Sequence, residues 1–280
     1  YLAYRILDWE EQFNIYLNLS KEFKYFNMIS DDDFFLKNDG INEKINFLNH
    51  NENFTYAISS AFMFELTEKK FWKRKFVNND LSLKGTDFID LFIDNEALQH
   101  TTITGLFRIK NMIKSDCFKV LDIIKHNKLQ AGYGLDSRIF FRNINFGNVK
   151  IFGNFITRAI RFHEGGMTYN QPVESSYCYY WSIIDSLNYL NLNDIKIKNQ
   201  NKYLQQWIQN LLTSKLINTY LKNDEKNFNK IKEIIGGDFL GYILKEMEKL
   251  EIPRNESIEK YIKMNKFLNK VPRFLIRKTN

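Results

Sequence analysis

Proline is scarce in this 280-residue chain. It occurs three times, at Pro172, Pro253 and Pro272. So few interruptions favour long helices, because proline removes a backbone donor and breaks a helix interior. Cysteine occurs twice, as Cys117 and Cys178, each among apolar or aromatic neighbours. Two such residues make neither a disulfide framework nor a metal-ligand pattern, so no metal is expected and a reducing, cytoplasmic setting is. Histidine occurs four times, at His50, His100, His126 and His163. No apolar run approaches the ~20 residues of a membrane span, so no membrane partner is expected. The opening Tyr1-Leu2-Ala3-Tyr4-Arg5 lacks a signal-peptide layout, and the missing initiator Met implies residues upstream. Glycine patterns for nucleotides are also missing. Gly147 and Gly153 are not followed by the Lys-Ser/Thr of a phosphate loop, so no cofactor is expected.

What is present is aromatic and basic. Aromatics make up 16% of the chain and the net charge is +7. The charge is uneven. Residues 1–100 carry 11 Lys and Arg against 17 Asp and Glu, and residues 101–280 carry 29 against 16. A basic majority following an acidic start suits a polyanion.

Helical spacing recurs. Ile103, Leu106, Phe107, Ile113, Cys117, Val120, Leu121 and Ile124 fall near the 3.6-residue period and predict one long amphipathic helix. Helices are also predicted over 8–26, 41–49, 153–171 (running into a loop), 174–190, 202–222, 226–235, 238–250 and 256–270. Phe54 to Leu66 is ambiguous by composition. It is rich in aromatic and β-branched residues, but Ala57, Ala61, Met63 and Glu65 suit a helix. Asn38-Asp39-Gly40 reads as a turn, and residues 77–86 as a polar loop. Asp31-Asp32-Asp33 is a carboxylate cluster that reads more readily as a solvated cap than as a ligand set.

Several phrases occur in an order that resembles the bacterial abortive-infection AbiD/AbiF family. They are Thr86-Asp87-Phe88-Ile89-Asp90-Leu91-Phe92-Ile93-Asp94, then Gly132-Tyr133-Gly134-Leu135-Asp136-Ser137, Ile139-Phe140-Phe141, and Phe146-Gly147-Asn148-Val149-Lys150-Ile151-Phe152-Gly153-Asn154. Leu7 to Gln12, Ile41 to Leu48 and Phe54 to Ile58 match upstream, and Leu250 to Asn255 downstream. The resemblance implies an all-α, HEPN-like helical bundle, with Phe54–Leu66 helical. The expected organisation is an N-terminal helical segment (1–85), a HEPN-like core (86–222) and a C-terminal helical extension (223–280). It also implies anti-phage defence acting on RNA, a cognate structured non-coding RNA as partner, and a homodimer.

The family's ribonucleases pair an Arg with a His a few residues on. Histidine exchanges protons near neutral pH, and arginine offsets charge developing on phosphate. Here Arg158 and His163 have that spacing and are the candidate catalytic pair. They lie before the helix at 174–190, whereas the family's motif follows it, and Asn191 to Lys196 holds neither residue type. Three readings therefore stand: a displaced metal-independent ribonuclease, an inactive RNA-binding or ribonucleoprotein scaffold, and an unrelated helical protein. Candidate RNA-binding residues are Lys70, Trp72, Lys73, Arg74, Lys75, Arg108, Lys114, Arg138, Arg142, Arg273, Arg277 and Lys278. Cations interleaved with aromatics can hold phosphates and stack bases. For Lys69 to Phe76, an ordinary packed helix end explains the same pattern equally well.

Overall fold

A computed structural model describes residues 15, 18, 19, 21–29, 33–36, 39–65, 70–74, 77–94, 105–117, 135–163, 173–198, 202 and 248. The chain divides into two compact units, Tyr1–Gln200 and Asn201–Asn280, and every element below belongs to the first. The helices predicted at 202–222, 226–235, 238–250 and 256–270 lie outside the described residues but for two isolated positions.

The all-α expectation is wrong. The unit is built on a seven-stranded mixed sheet. Its strands are β1 (Tyr25–Phe26), β2 (Phe34–Phe35), β3 (Phe54–Glu65), β4 (Lys70–Arg74), β5 (Leu81–Lys84), β6 (Leu106–Arg108) and β7 (Asn148–Phe162). Its helices are α1 (Asp39–His50), α2 (Gly85–Asp94), α3 (Ile109–Lys114), α4 (Leu135–Ile144) and α5 (Val173–Leu192).

Strands β3 and β7 form a parallel pair at the centre, running from Phe54 opposite Asn148 to Glu65 opposite Phe162 with register shifts at Phe54/Tyr56, Ser59/Ser60 and Ser60/Ala61. Each carries two short antiparallel strands along its outer edge. On β3, β6 lies beside Tyr56–Ala57 and β4 beside Ala61–Glu65. On β7, β5 pairs with Asn148–Ile151 and β2 with Arg158–Ala159. Strand β1 extends the sheet beyond β6.

The composition of β3 explains the misassignment as helix. A strand covered on both faces has no polar side to alternate with, so it reads as a continuous apolar run. Ten of its twelve residues are buried. Tyr56 points to one face, stacked on Phe107 with centroids 4.2 Å apart and edge-on to Phe88 of α2 and Phe140 of α4. Ala57 points to the other, in a cluster with Leu48 of α1, Leu106 and Phe152. Phe92 and Phe141 continue the first cluster. Full burial of each such ring contributes ~1.5–3 kcal/mol, and each favourable ring pair adds ~0.5–1.5 kcal/mol.

Other expectations divide. The helices predicted at 41–49 and 174–190 are present as α1 and α5. Asp39 and Gly40, expected in a turn, open α1, and Asn38 lies outside the described residues. The polar loop at 77–86 holds β5 and the start of α2. The helix predicted from residue 153 is the body of β7. Within the amphipathic stretch from Ile103, Leu106–Arg108 is strand and α3 follows. Gly147 marks where the parallel pair starts. A Cβ there would lie 2.6 Å from the Asn53 carbonyl oxygen, which accepts the Asn148 N–H at 2.8 Å.

Candidate functional site

In open α/β sheets, ligands bind beyond the carboxyl ends of the parallel strands. Here that edge carries a buried polar group. Asp33, immediately before β2, presents a carboxylate with only 3% of the side chain exposed. Its Oδ2 accepts from Arg158 Nη2 at 2.6 Å, and its Oδ1 accepts from the Arg161 backbone N–H at 3.0 Å. Arg158 Nη1 donates to the Met28 carbonyl at 2.7 Å. Arg158 thus ties β7 to both Met28 and Asp33. The expectation that the Asp31-Asp32-Asp33 run is a solvated cap fails at Asp33. Asp31 and Asp32 lie outside the described residues.

Behind this pair is a polar chain that sequence reasoning missed. Lys44, on α1, is 2% exposed and donates to Thr157 Oγ1 at 3.0 Å. Thr157 Oγ1 lies 2.6 Å from Ser59 Oγ of β3. Burial, reinforced by the neighbouring Arg158 charge, brings the Lys44 ammonium down to about 7. Burial also pushes the Tyr56 phenol well up, so it stays protonated. Lys44 gave no sequence signal beyond being one cation on an amphipathic helix.

The residues expected to form a catalytic pair, Arg158 and His163, lie in different settings. Arg158 is inside β7 and bound to Asp33, whereas His163 lies past the strand end and is half-buried.

The proposed RNA-binding residues that the structure describes are divided between buried and exposed positions. Arg108 is buried and donates to the carbonyls of Phe54 (2.5 Å), Leu48 and Asn51 (2.9 Å), closing the C-terminal end of α1. Arg138 and Arg142 are buried on α4. Arg142 pairs with Asp185 at 2.5 Å and donates to the Ser115 carbonyl at 3.0 Å. Lys114 is exposed, its ammonium 5.0 Å above the Phe146 ring. Lys70, Trp72, Lys73 and Arg74 belong to β4, on the outer edge of β3. Lys75, Arg273, Arg277 and Lys278 lie outside the described residues.

Among the described residues, no group of three or more His, Cys, Asp or Glu side chains could hold a metal ion, and no helix is long and apolar enough to cross a membrane.

No protein-family model matches the chain, and no curated protein does. Solved structures do. The chain is similar to S. aureus TarS, residues 1–349, in complex with UDP-GlcNAc. The TM-score is 0.50 at 10% identity, over 80% of this chain and 60% of that one. The same protein with UDP matches with a TM-score of 0.48 at 9% identity, over 80% and 59%. The chain therefore spans about three fifths of the TarS 1–349 chain it matches. The class defined is a mixed α/β fold like that of TarS, and at 10% identity the likeness is one of fold. It overturns the assignment to the abortive-infection family, its helical fold and its RNA-directed role.

Proposed function

We propose that the chain is the α/β region of a nucleotide-sugar glycosyltransferase, using a sugar nucleotide as donor. One observation carries the reading. Asp33 closes a run of three aspartates and is fixed at the carboxyl end of the parallel pair by Arg158 and the Arg161 N–H. The likeness to TarS, which was solved with UDP-GlcNAc, supports it.

The chemistry asks for such an edge. In glycosyl transfer the bond from the anomeric carbon to the diphosphate oxygen breaks. A bond to an acceptor hydroxyl oxygen forms, and that hydroxyl loses its proton. Charge builds on the departing diphosphate, and fixed donors or a hard cation stabilise it. Both Asp33 oxygens are already committed, so its part is to position rather than to ligate. A divalent cation at the diphosphate would take oxygen ligands, which it prefers. Arg161, half-buried at this edge, has a buried Nε with no hydrogen-bond partner among the described residues, and the reading assigns its guanidinium to a donor phosphate.

The test is incubation with UDP-GlcNAc and a divalent cation, measuring UDP release. Release above the protein-free rate that falls at least tenfold in Arg161→Ala supports the reading. If neither UDP-sugars nor other sugar nucleotides bind or turn over, the reading is wrong.

A further inference from the structure

A second polar cluster lies away from that edge, between α4, α5 and the segment after α3. Arg138 is 0% exposed, yet its Nε, Nη1 and Nη2 have no hydrogen-bond partner among the described residues. Its nearest carboxylate oxygen, Asp185 Oδ2, is 3.8 Å from Nε and is already engaged by Arg142 at 2.5 Å. The Arg142 Nε and the Ser182 hydroxyl are buried and unpartnered as well. Ser182 is one turn before Asp185 on α5, so both face the same way.

Among the described residues the charges do not balance. Two guanidinium groups share one carboxylate. Asp116, a further acid acting on Arg138, is exposed and meets Arg142 through its backbone carbonyl at 3.3 Å. The buried Cys117 thiol supplies no anion, because burial pushes it up to about 12 and it stays protonated. Burial lowers Arg138 to about 10, with Asp185 opposing the shift, so it remains charged at neutral pH. A buried charged donor without an acceptor is strongly unfavourable, and such groups in folded proteins find a partner, ordered water or an ion. Neutral water leaves the excess charge in place, whereas an anion removes it.

We propose that Arg138, Arg142 and Ser182 form a binding site for a small oxyanion, a phosphate ion or the phosphoryl group of a ligand, entered beside the partly exposed Asp185. Two guanidinium groups and a hydroxyl match a tetrahedral oxyanion. Asp185 holds Arg142 in place and limits the site's net charge. The site is independent of the sugar-nucleotide reading.

The experiment is thermal unfolding of the whole chain in sodium phosphate, against sodium chloride at matched ionic strength. The expected result is a saturable rise in Tm of a few degrees, about what a ligand well above its Kd produces, with phosphate alone. Arg138→Met should abolish that rise. Without phosphate this variant should unfold at or above the wild-type temperature, because an apolar side chain replaces an unpaired buried charge. Ser182→Ala, a milder change, should keep the fold and weaken the phosphate response severalfold. Glycerol phosphate in place of phosphate separates the sources. An equal response identifies a ligand's phosphoryl group, and a response to the free ion alone identifies a resident anion. Equal Tm in phosphate and chloride, or an undiminished phosphate response in Arg138→Met, would overturn the proposal.

Discussion

Asp33 and Arg158 meet at 2.6 Å with side chains 3% and 1% exposed, although 125 residues separate them in sequence. Breaking one half of a buried ion pair leaves the other charge uncompensated, which costs ~3–5 kcal/mol. Asp33→Asn and Arg158→Met should each lower unfolding free energy by roughly that amount in urea. The double variant Asp33→Leu/Arg158→Met should recover much of it. Independent, additive losses would show that the two groups are not coupled.

Lys44 makes stability depend on pH in an unusual direction. Its folded value is near 7, below the unfolded value near 10.5. Between these limits the unfolded chain binds more protons, so unfolding free energy rises with pH. The cost of burying Lys44 is full below about 7 and fades as pH climbs to about 10.5. Urea unfolding at pH 7 and pH 9 should show a gain on the order of 1–3 kcal/mol at the higher pH. Lys44→Met should flatten that window. An unchanged slope in the variant would remove Lys44 as its source.

Gly147→Ala should destabilise without touching any charged group. The new Cβ would fall 2.6 Å from the Asn53 carbonyl oxygen, where backbone must move. A cost of about 1–3 kcal/mol is expected from such overpacking. The measurement is chemical denaturation beside Gly165→Ala, a glycine outside the described residues.

Arg108 separates a structural role from a phosphate-binding one. Arg108→Met leaves the carbonyls of Leu48, Asn51 and Phe54 without its donors. Loss of about 2–4 kcal/mol in urea unfolding is expected, since hydrogen bonds to a charged donor contribute ~1.5–3 kcal/mol each and do not add fully. A fully stable variant would contradict the role in closing α1.

The local part of this architecture was readable from sequence. Helices α1 and α5 follow from periodicity because a one-sided or long apolar pattern is a property of neighbouring residues. The sheet was not readable, for a different reason in each strand. Strand β3 is buried on both faces and shows no alternation, and Ala57 and Ala61 give it a helical flavour. The apolar character of β7 is interrupted by Gly147 before it and Gly153 within it. These glycines serve close approaches to Asn53 and Asn79 rather than turns. The site was half-legible. Arg158 and the three aspartates were both singled out, but for unrelated reasons. Nothing local says that Arg158 belongs with Asp33, because their pairing is made by β2 lying against β7.

Amide hydrogen exchange with and without UDP-GlcNAc and a divalent cation tests most directly whether the carboxyl edge of the β3–β7 pair, held by Asp33 and Arg158, receives a sugar nucleotide. Slowed exchange is expected in residues 25–36 and 156–163, lost in Arg161→Ala. Unchanged exchange there at saturating donor, or protection confined to other parts of the chain, would contradict it.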